Sequence, residues 1–311
     1  MAITKVTEKQ IRGEFYLTLD NLSMAPYVEP LTWLNPRSDE ETEEYAWLGQ
    51  VPSMSEWGEG RNYVGLSEES VQIRNVHHEA GIEMPVSVIR RDKTSQAEVR
   101  IRELARRTVT HWNGLVMQTL LDNPTAYDGH YLISGSHRVS NTVAVSSVGS
   151  TSISSAEDAA AVIMGGIQQL LQMTDDGGEY LNESARNFVV ITPVEIMGHV
   201  ATAISDRGYG QDSENPLEGS GFSISMATSP RFSGSDMPNA SDGGGLYVVR
   251  TDAQLKPMIR QQEEGTEPDL DVIGEGSELE QDDKVHHYGV DAWRGVGPGY
   301  FEFIAEAYAS S

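Results

Sequence analysis

The stretch SQAEVRIRELARRTVTHWNGLVMQTLLDN, residues 95–123, decides the fold. Ile101, Leu104, Ala105, Thr108, Trp112, Leu115, Val116, Thr119 and Leu120 recur at the i, i+3, i+4, i+7 spacing of one helix face. Ser95 with Glu98 makes a capping-box pattern at the start, and Asn123-Pro124 stops the helix. At about 1.5 Å per residue such a helix is roughly 40 Å long. One apolar stripe of that length is a spine on which other elements pack.

Working outward, Thr7 and Gln10 form another capping box, and Ile11, Phe15, Leu19 and Leu22 share a stripe. Pro26, Pro30 and Pro36 follow, then the acidic run Asp39 to Glu44, which predicts an unpacked tether. An early helix on such a tether reads as an arm. Tyr63 to Arg91 predicts a long hairpin, with one strand ending at Arg74, a turn near His78-Glu79-Ala80-Gly81, and a second strand over Ile82 to Arg91. Strands of about 10–12 residues extend roughly 35–40 Å. A compact chain of this length has a radius of gyration of only about 20 Å. The hairpin therefore crosses the body or projects from it towards a neighbour.

Beyond the spine, helix and strand alternate, which gives an α+β class. Ser155 to Met173 predicts a helix ending at Asp175-Asp176-Gly177-Gly178, and Phe188 to Ile191 a buried strand. Thr192-Pro193-Val194-Glu195 has the N-cap, N1 and N3 residues of a helix start. Ser205 to Pro216 and Pro230 to Gly245 are polar, glycine-rich loops, and Leu246 to Val249 returns to strand. An acidic loop, Glu263 to Asp283, precedes an aromatic-rich hairpin over Val285 to Tyr308. No internal repeat is visible.

The 311 residues are 38% hydrophobic, enough for a real core. No apolar run approaches the roughly 18 residues that span a bilayer. No apolar stretch follows Lys5, so a signal peptide is not expected at Met1. Zero cysteines exclude disulfides, thiol nucleophiles and thiolate metal sites, and fit a reducing cytoplasm. Twenty-two basic against forty-seven acidic side chains give −25, which opposes sequence-independent nucleic-acid binding and anionic membranes.

No catalytic, cofactor or metal site is expected. Gly295-Val296-Gly297-Pro298-Gly299 lacks phosphate-loop spacing, and Pro298 removes an amide donor; a hairpin turn is the simpler reading. His77-His78 and His286-His287 are neighbours on predicted strands, so each pair points to opposite faces and cannot chelate one metal. Asp175 to Glu179 departs from calcium-loop spacing and reads as a helix C-cap. Ser136 stands beside His137 without a nucleophile elbow. Of the spine arginines, Arg100 and Arg107 fall on one side and Arg102 and Arg106 on another. They predict ion pairs with acidic segments of neighbouring subunits.

Tyr45-Ala46-Trp47-Leu48-Gly49, with Pro52, Glu56-Trp57 and Arg61, resembles the Y-x-W-L-G-x-x-P-x-x-x-E-W signature of Mu-like phage major head subunits. The resemblance continues at Tyr127-Asp128-Gly129 with His137 and Val139, at Leu255-Lys256-Pro257 with Ile259 and Gln261, and at Tyr288-Gly289-Val290. The family's proline after the histidine is Arg138 here, and Thr142 to Arg250 matches only in helix–strand order.

This resemblance implies the Hong-Kong-97-type phage capsid fold: N-terminal arm 1–44, E-loop 45–92, peripheral domain with spine helix 93–150, axial domain 151–250, and a return to the peripheral sheet over 251–311. It implies a major capsid protein, not an enzyme. Copies would self-assemble as hexamers and pentamers into the icosahedral head shell of a tailed bacteriophage, around double-stranded DNA bound without sequence specificity. A separate scaffolding protein, a portal and decoration proteins are the implied partners, with assembly in the bacterial host cytoplasm. No lysine lies between Gln50 and Asp92, so covalent E-loop cross-links are not expected. The nearest rival is a nanocompartment shell of the same fold; an acidic cytoplasmic enzyme is the rival from another class.

Overall fold

The computed structural model describes residues 8–48, 68–91, 95–175, 177–205, 215–217, 220–240 and 244–311. The chain enters helix α1 (Glu8–Asn21), then a single turn α2 (Val28–Leu31) and strand β1 (Thr32–Ser38). Strands β2 (Thr42–Leu48), β3 (Glu68–Arg74) and β4 (Val76–Pro85) lead through α3 (Val86–Arg91) into α4 (Gln96–Asp122). Next come β5 (Thr142–Val145), α5 (Ala156–Leu171), β6 (Asn187–Pro193), α6 (Met197–Ser205), β7 (Ser223–Ser229) and β8 (Gly245–Arg250). The chain closes with β9 (Met258–Glu263), β10 (Asp269–Ile273), α7 (Glu278–Asp282), β11 (Val285–Pro298) and β12 (Ile304–Ala309).

Helix α4 is the expected spine, 27 residues long. Ile101, Leu104, Ala105, Thr108, Trp112, Val116 and Leu120 are buried as the stripe predicts, while Leu115 and Thr119 are half-buried. Its start differs from expectation. Ser95 adopts φ 53° and its hydroxyl caps nothing, so the capping box is not formed. The matching box at Thr7 falls outside the described residues.

Two sheets flank this frame. One has the order β1-β9-β11-β10, with β4 also on β11. Proline-containing β1 lies at its edge, where a missing amide costs no ladder bond. The other runs β5-β12-β8-β6-β7. Helix α5 covers it through Val162, Ile163, Ile167 and Leu170, packed with Val190, Leu246 and Val248. A second apolar cluster joins α2 and the end of α4 to Tyr247 and Val249, and a third holds α1 against α4 and β11.

Long-range pairing overrides several local readings. His78 to Gly81 is no turn: β4 runs straight through it, with His78 opposite Ala292 and Gly81 opposite Gly289. The two-stranded hairpin is instead β2 against β3, Tyr45 facing Val71. The acidic run to Glu44, expected to be an unpacked tether, supplies the first residues of β2. Gly295 to Pro298 is likewise strand, paired with β9. A Cβ at Gly297 would meet Ile73 Cγ1 at 2.5 Å, and one at Gly295 the Arg74 carbonyl at 2.6 Å, so close approach, not turning, explains those glycines.

Val285 to Tyr308 is not a hairpin, because β11 and β12 join different sheets. Strands β9 to β11 lie in the first sheet, and β12 lies in the second. Helix α5 ends at Leu171 with Gln172 as its C-cap, and Asp175, accepting from the Glu179 amide beside a Thr174–Tyr180 bridge, lies beyond that cap. Strand β6 continues through Thr192 and Pro193, delaying α6 to Met197. The acidic loop contains β10 and α7.

Candidate assembly surfaces

The β2–β3 pair meets the body at a node built on Asn75, between β3 and β4. Asn75 is 1% exposed, and its amide Nδ2 donates to Ser38 Oγ at 2.6 Å and to the Glu40 carbonyl at 2.9 Å. Its backbone amide donates to the Glu41 carbonyl at 2.8 Å. Gln261 of β9, fully buried, donates from Nε2 to the Ile73 carbonyl and to Asn75 Oδ1, both at 3.0 Å. Tyr45 closes the set, donating to Gln261 Oε1 at 2.8 Å while accepting from Asn35 Nδ2 at 2.9 Å. Burial raises the Tyr45 pKa above its ordinary value, so the phenol remains a donor at neutral pH. Apolar support is slight: Val71, Ile73 and Ile259, with Tyr45 and Tyr127 partly buried against them.

Buried polar bonds are directional and costly to break. This node therefore fixes how the strand pair is set against the body. Tyr45 and Gln261 both belong to the resemblance patches, and 216 positions separate them. Asn75 carries no motif signal; the only hint is an asparagine between two β-like runs.

The other patches are structural too. Asp128 lies 2.6 Å from His137 Nδ1, and the His137 ring stacks on Phe301 at 3.7 Å. Tyr127 donates to Glu302, a carboxyl almost wholly buried whose pKa burial raises. Gly129 takes φ 81°, a backbone that side chains rarely adopt. Tyr288 is buried in the cluster beneath α1. Pro52, Glu56, Trp57 and Arg61 lie outside the described residues.

The arm departs from expectation, because α1 has a place on its own subunit. Ile11 and Phe15 are buried against α4 and β10. Arg12 Nη1 donates to the Leu270 carbonyl at 2.6 Å, and Glu14 pairs with Arg102 at 2.8 Å. Arg107 pairs with Glu103 on its own helix, and Arg106 lies 4.0 Å from the same carboxylate. Three of the four spine arginines thus have partners within the chain, where neighbouring subunits were expected to supply them. Those pairs are solvent-exposed and contribute at most about 1 kcal/mol each.

The histidine pairs split across faces as strand geometry requires. His77 pairs with Asp291 at 2.9 Å, whereas His78 contacts the His111 ring, centroids 4.4 Å apart. His287 pairs with Glu83 at 3.1 Å, while His286 turns to Glu280 at 3.4 Å. Ser136 contributes its backbone amide to Ser134 Oγ.

Known proteins place this architecture. Residues 23–165 match the family described as Mu-like prophage major head subunit gpT. The Mu-like prophage FluMu major head subunit of Haemophilus influenzae is 30% identical over 128 residues, which is 40% of this chain and 41% of that protein. The chain therefore aligns with about two fifths of that relative's length. Among solved structures, the procapsid of bacteriophage JBD30 covers 98% of this chain and 77% of its own, at 19% identity and TM-score 0.54. The mature capsid of bacteriophage PhiM1 covers 91% and 87%, at 10% identity and TM-score 0.58. The fold is the Hong-Kong-97-type capsid fold. A virus-like particle from Pyrococcus furiosus has it as well, with 96% of this chain and 97% of that one covered at 8% identity and TM-score 0.53. Asn75, Tyr45 and α4 lie inside the segment that matches the head subunits, and Gln261 of the node lies outside it.

Proposed function

We propose that this chain is the major capsid protein of a tailed double-stranded DNA bacteriophage, self-assembling as hexamers and pentamers into the icosahedral head shell. The observation that carries this reading is the head-subunit match over residues 23–165, which holds both the anchored strand pair and the spine helix. Residues 1–44 act as the arm, 45–92 as the E-loop, 93–150 and 251–311 chiefly as the peripheral domain, and 151–250 as the axial domain. Strand β12 crosses to the axial sheet. The protein works by assembly rather than catalysis, in the host cytoplasm and then in the virion. A separate scaffolding protein, a portal and decoration proteins complete the head. The −25 charge suits a wall that encloses DNA without adhering to it.

The virus-like particle of the same fold favours a second reading, a nanocompartment shell around protein cargo. Particle contents decide between them. Particles purified from infected or induced cells should contain nuclease-protected double-stranded DNA. Shells holding a stoichiometric protein cargo and no DNA would replace the head reading with the nanocompartment one.

A further inference from the structure

The ring of Trp112 on α4 has two buried guanidiniums close to it. Arg294 of β11 sits 4.7 Å from its ring centre and Arg260 of β9 sits 5.6 Å away. They are 4% and 8% exposed. Arg294 Nη1 donates to the Thr108 carbonyl at 2.9 Å and lies 3.3 Å from His111 Nδ1, while Arg260 Nη1 reaches only Met24 Sδ, at 2.9 Å. Both Nε atoms are buried without an acceptor, and among the described residues neither side chain forms an ion pair. Glu29 is exposed at the rim, near enough to be felt by Arg260 yet unpaired with it.

Beside this trio is a cavity of about 430 Å³, lined by Leu22, Met24, Glu29, Trp112 and the two arginines. Burial depresses both guanidinium pKa values, and in Arg294 the like charge of Arg260 adds to it, bringing it to about 10. Both remain cationic at neutral pH. Cation–π contact and one carbonyl offset part of the desolvation. In a lone subunit, however, two apolar side chains would fill the same space without that cost. Unpaired buried charge points to a counter-charge that arrives after folding.

We propose that the cavity beside Trp112 receives a carboxylate of a second copy of this chain, seated between Arg260 and Arg294 in the assembled shell. The inference rests on the shell reading above. Composition identifies the donor: each copy carries forty-seven acidic side chains against twenty-two basic ones, so a neighbour's surface is predominantly carboxylate. A guanidinium fork matches a carboxylate in two-point geometry, and the aromatic face beneath keeps water from competing.

The test compares wild type, Arg260→Met and Arg260→Lys as unassembled subunits and as shells. Arg260→Met removes a buried unpaired charge, so the subunit's unfolding midpoint should hold or rise. Its shell yield should fall by at least about tenfold, because the neighbour's carboxylate then lacks its partner. Arg260→Lys should assemble to an intermediate extent. Its introduced amine, treated with a zero-length carbodiimide cross-linker, should couple to an acidic side chain of another subunit in shells and not in free subunits.

A lowered midpoint in Arg260→Met subunits would make the arginine an ordinary fold-stabilising residue and overturn the proposal. Coupling to Glu29 of the same subunit would do so as well. Inorganic phosphate that raises the wild-type subunit's midpoint, with no cross-link between subunits, would assign the cavity to a free anion instead. Wild-type-like shells from Arg260→Met would defeat this inference alone, whereas the absence of wild-type shells would defeat the shell reading and this inference together.

Discussion

The α5-covered sheet and the β2–β3 pair are held by opposite means. Over the sheet, α5 lies so close that a Cβ at Gly166 would meet Val248 Cγ2 at 2.5 Å, and the contact is apolar throughout. At the base of the strand pair, three apolar side chains are buried, and Asn75, Gln261, Tyr45, Asn35 and Ser38 share a chain of hydrogen bonds. Apolar burial is strong and indifferent to angle; hydrogen bonds contribute less and fix direction. The sheet therefore carries stability, and the node carries aim.

The largest effect should come from the apolar side. Val248→Asp would bury a carboxylate in a fully enclosed position, at a cost of several kcal/mol against a total stability of about 5–15. Insoluble or unfolded protein by circular dichroism is the expected result, and a folded, soluble variant would mean the layer is not the stabilising core. Asn75→Ala should cost about 2–3 kcal/mol, since Gln261 Nε2, the Ser38 hydroxyl and the Glu40 carbonyl lose a partner in a closed space. The body should stay folded while limited proteolysis accelerates between β2 and β3. Global unfolding without faster cleavage there would erase the distinction between the regions.

How much of this was legible in the sequence follows the same division. The spine stripe, the α5 helix and strands β6 and β8 announced themselves because each is an apolar run or period written in adjacent residues. The hairpin did not. The start of its first strand, Thr42 to Glu44, reads as part of an acidic tether, and the turn assigned to His78–Gly81 disappears once β11, some 200 residues on, pairs with β4. Gly295 and Gly297 read as turn residues because the side chain they make room for, Ile73, is distant in sequence. Of the node, the family resemblance picks out Tyr45 and Gln261, and no sequence signal marks Asn75. The Arg260–Trp112–Arg294 cluster joins three elements, and no local pattern marks it.

Smaller changes sharpen the comparison. Tyr45→Phe removes one phenol from the node and should cost about 1 kcal/mol, with little further loss when combined with Gln261→Leu. Full additivity in that double-mutant cycle would show that the two residues act independently. A further effect is pH-linked. Burial first, then His78, Arg294 and Arg231, lowers the His111 pKa from 6.5 to about 4. The folded state therefore binds this proton less readily than the unfolded state. The stability associated with neutral His111 is present above pH 6.5 and is lost as pH falls towards 4. His111→Gln should flatten the fall in unfolding midpoint across that window; an unchanged slope would place the titration elsewhere.

Folded subunits, each with its strand pair anchored at the Asn75 node, are expected to close into shells. Electron microscopy of the purified wild-type protein, alone and with a co-produced scaffolding protein, tests it most directly. Closed icosahedral particles, with the β2–β3 pair of one subunit lying on its neighbour, are the predicted result. A monodisperse monomer or dimer under every assembly condition, scaffold included, would contradict it.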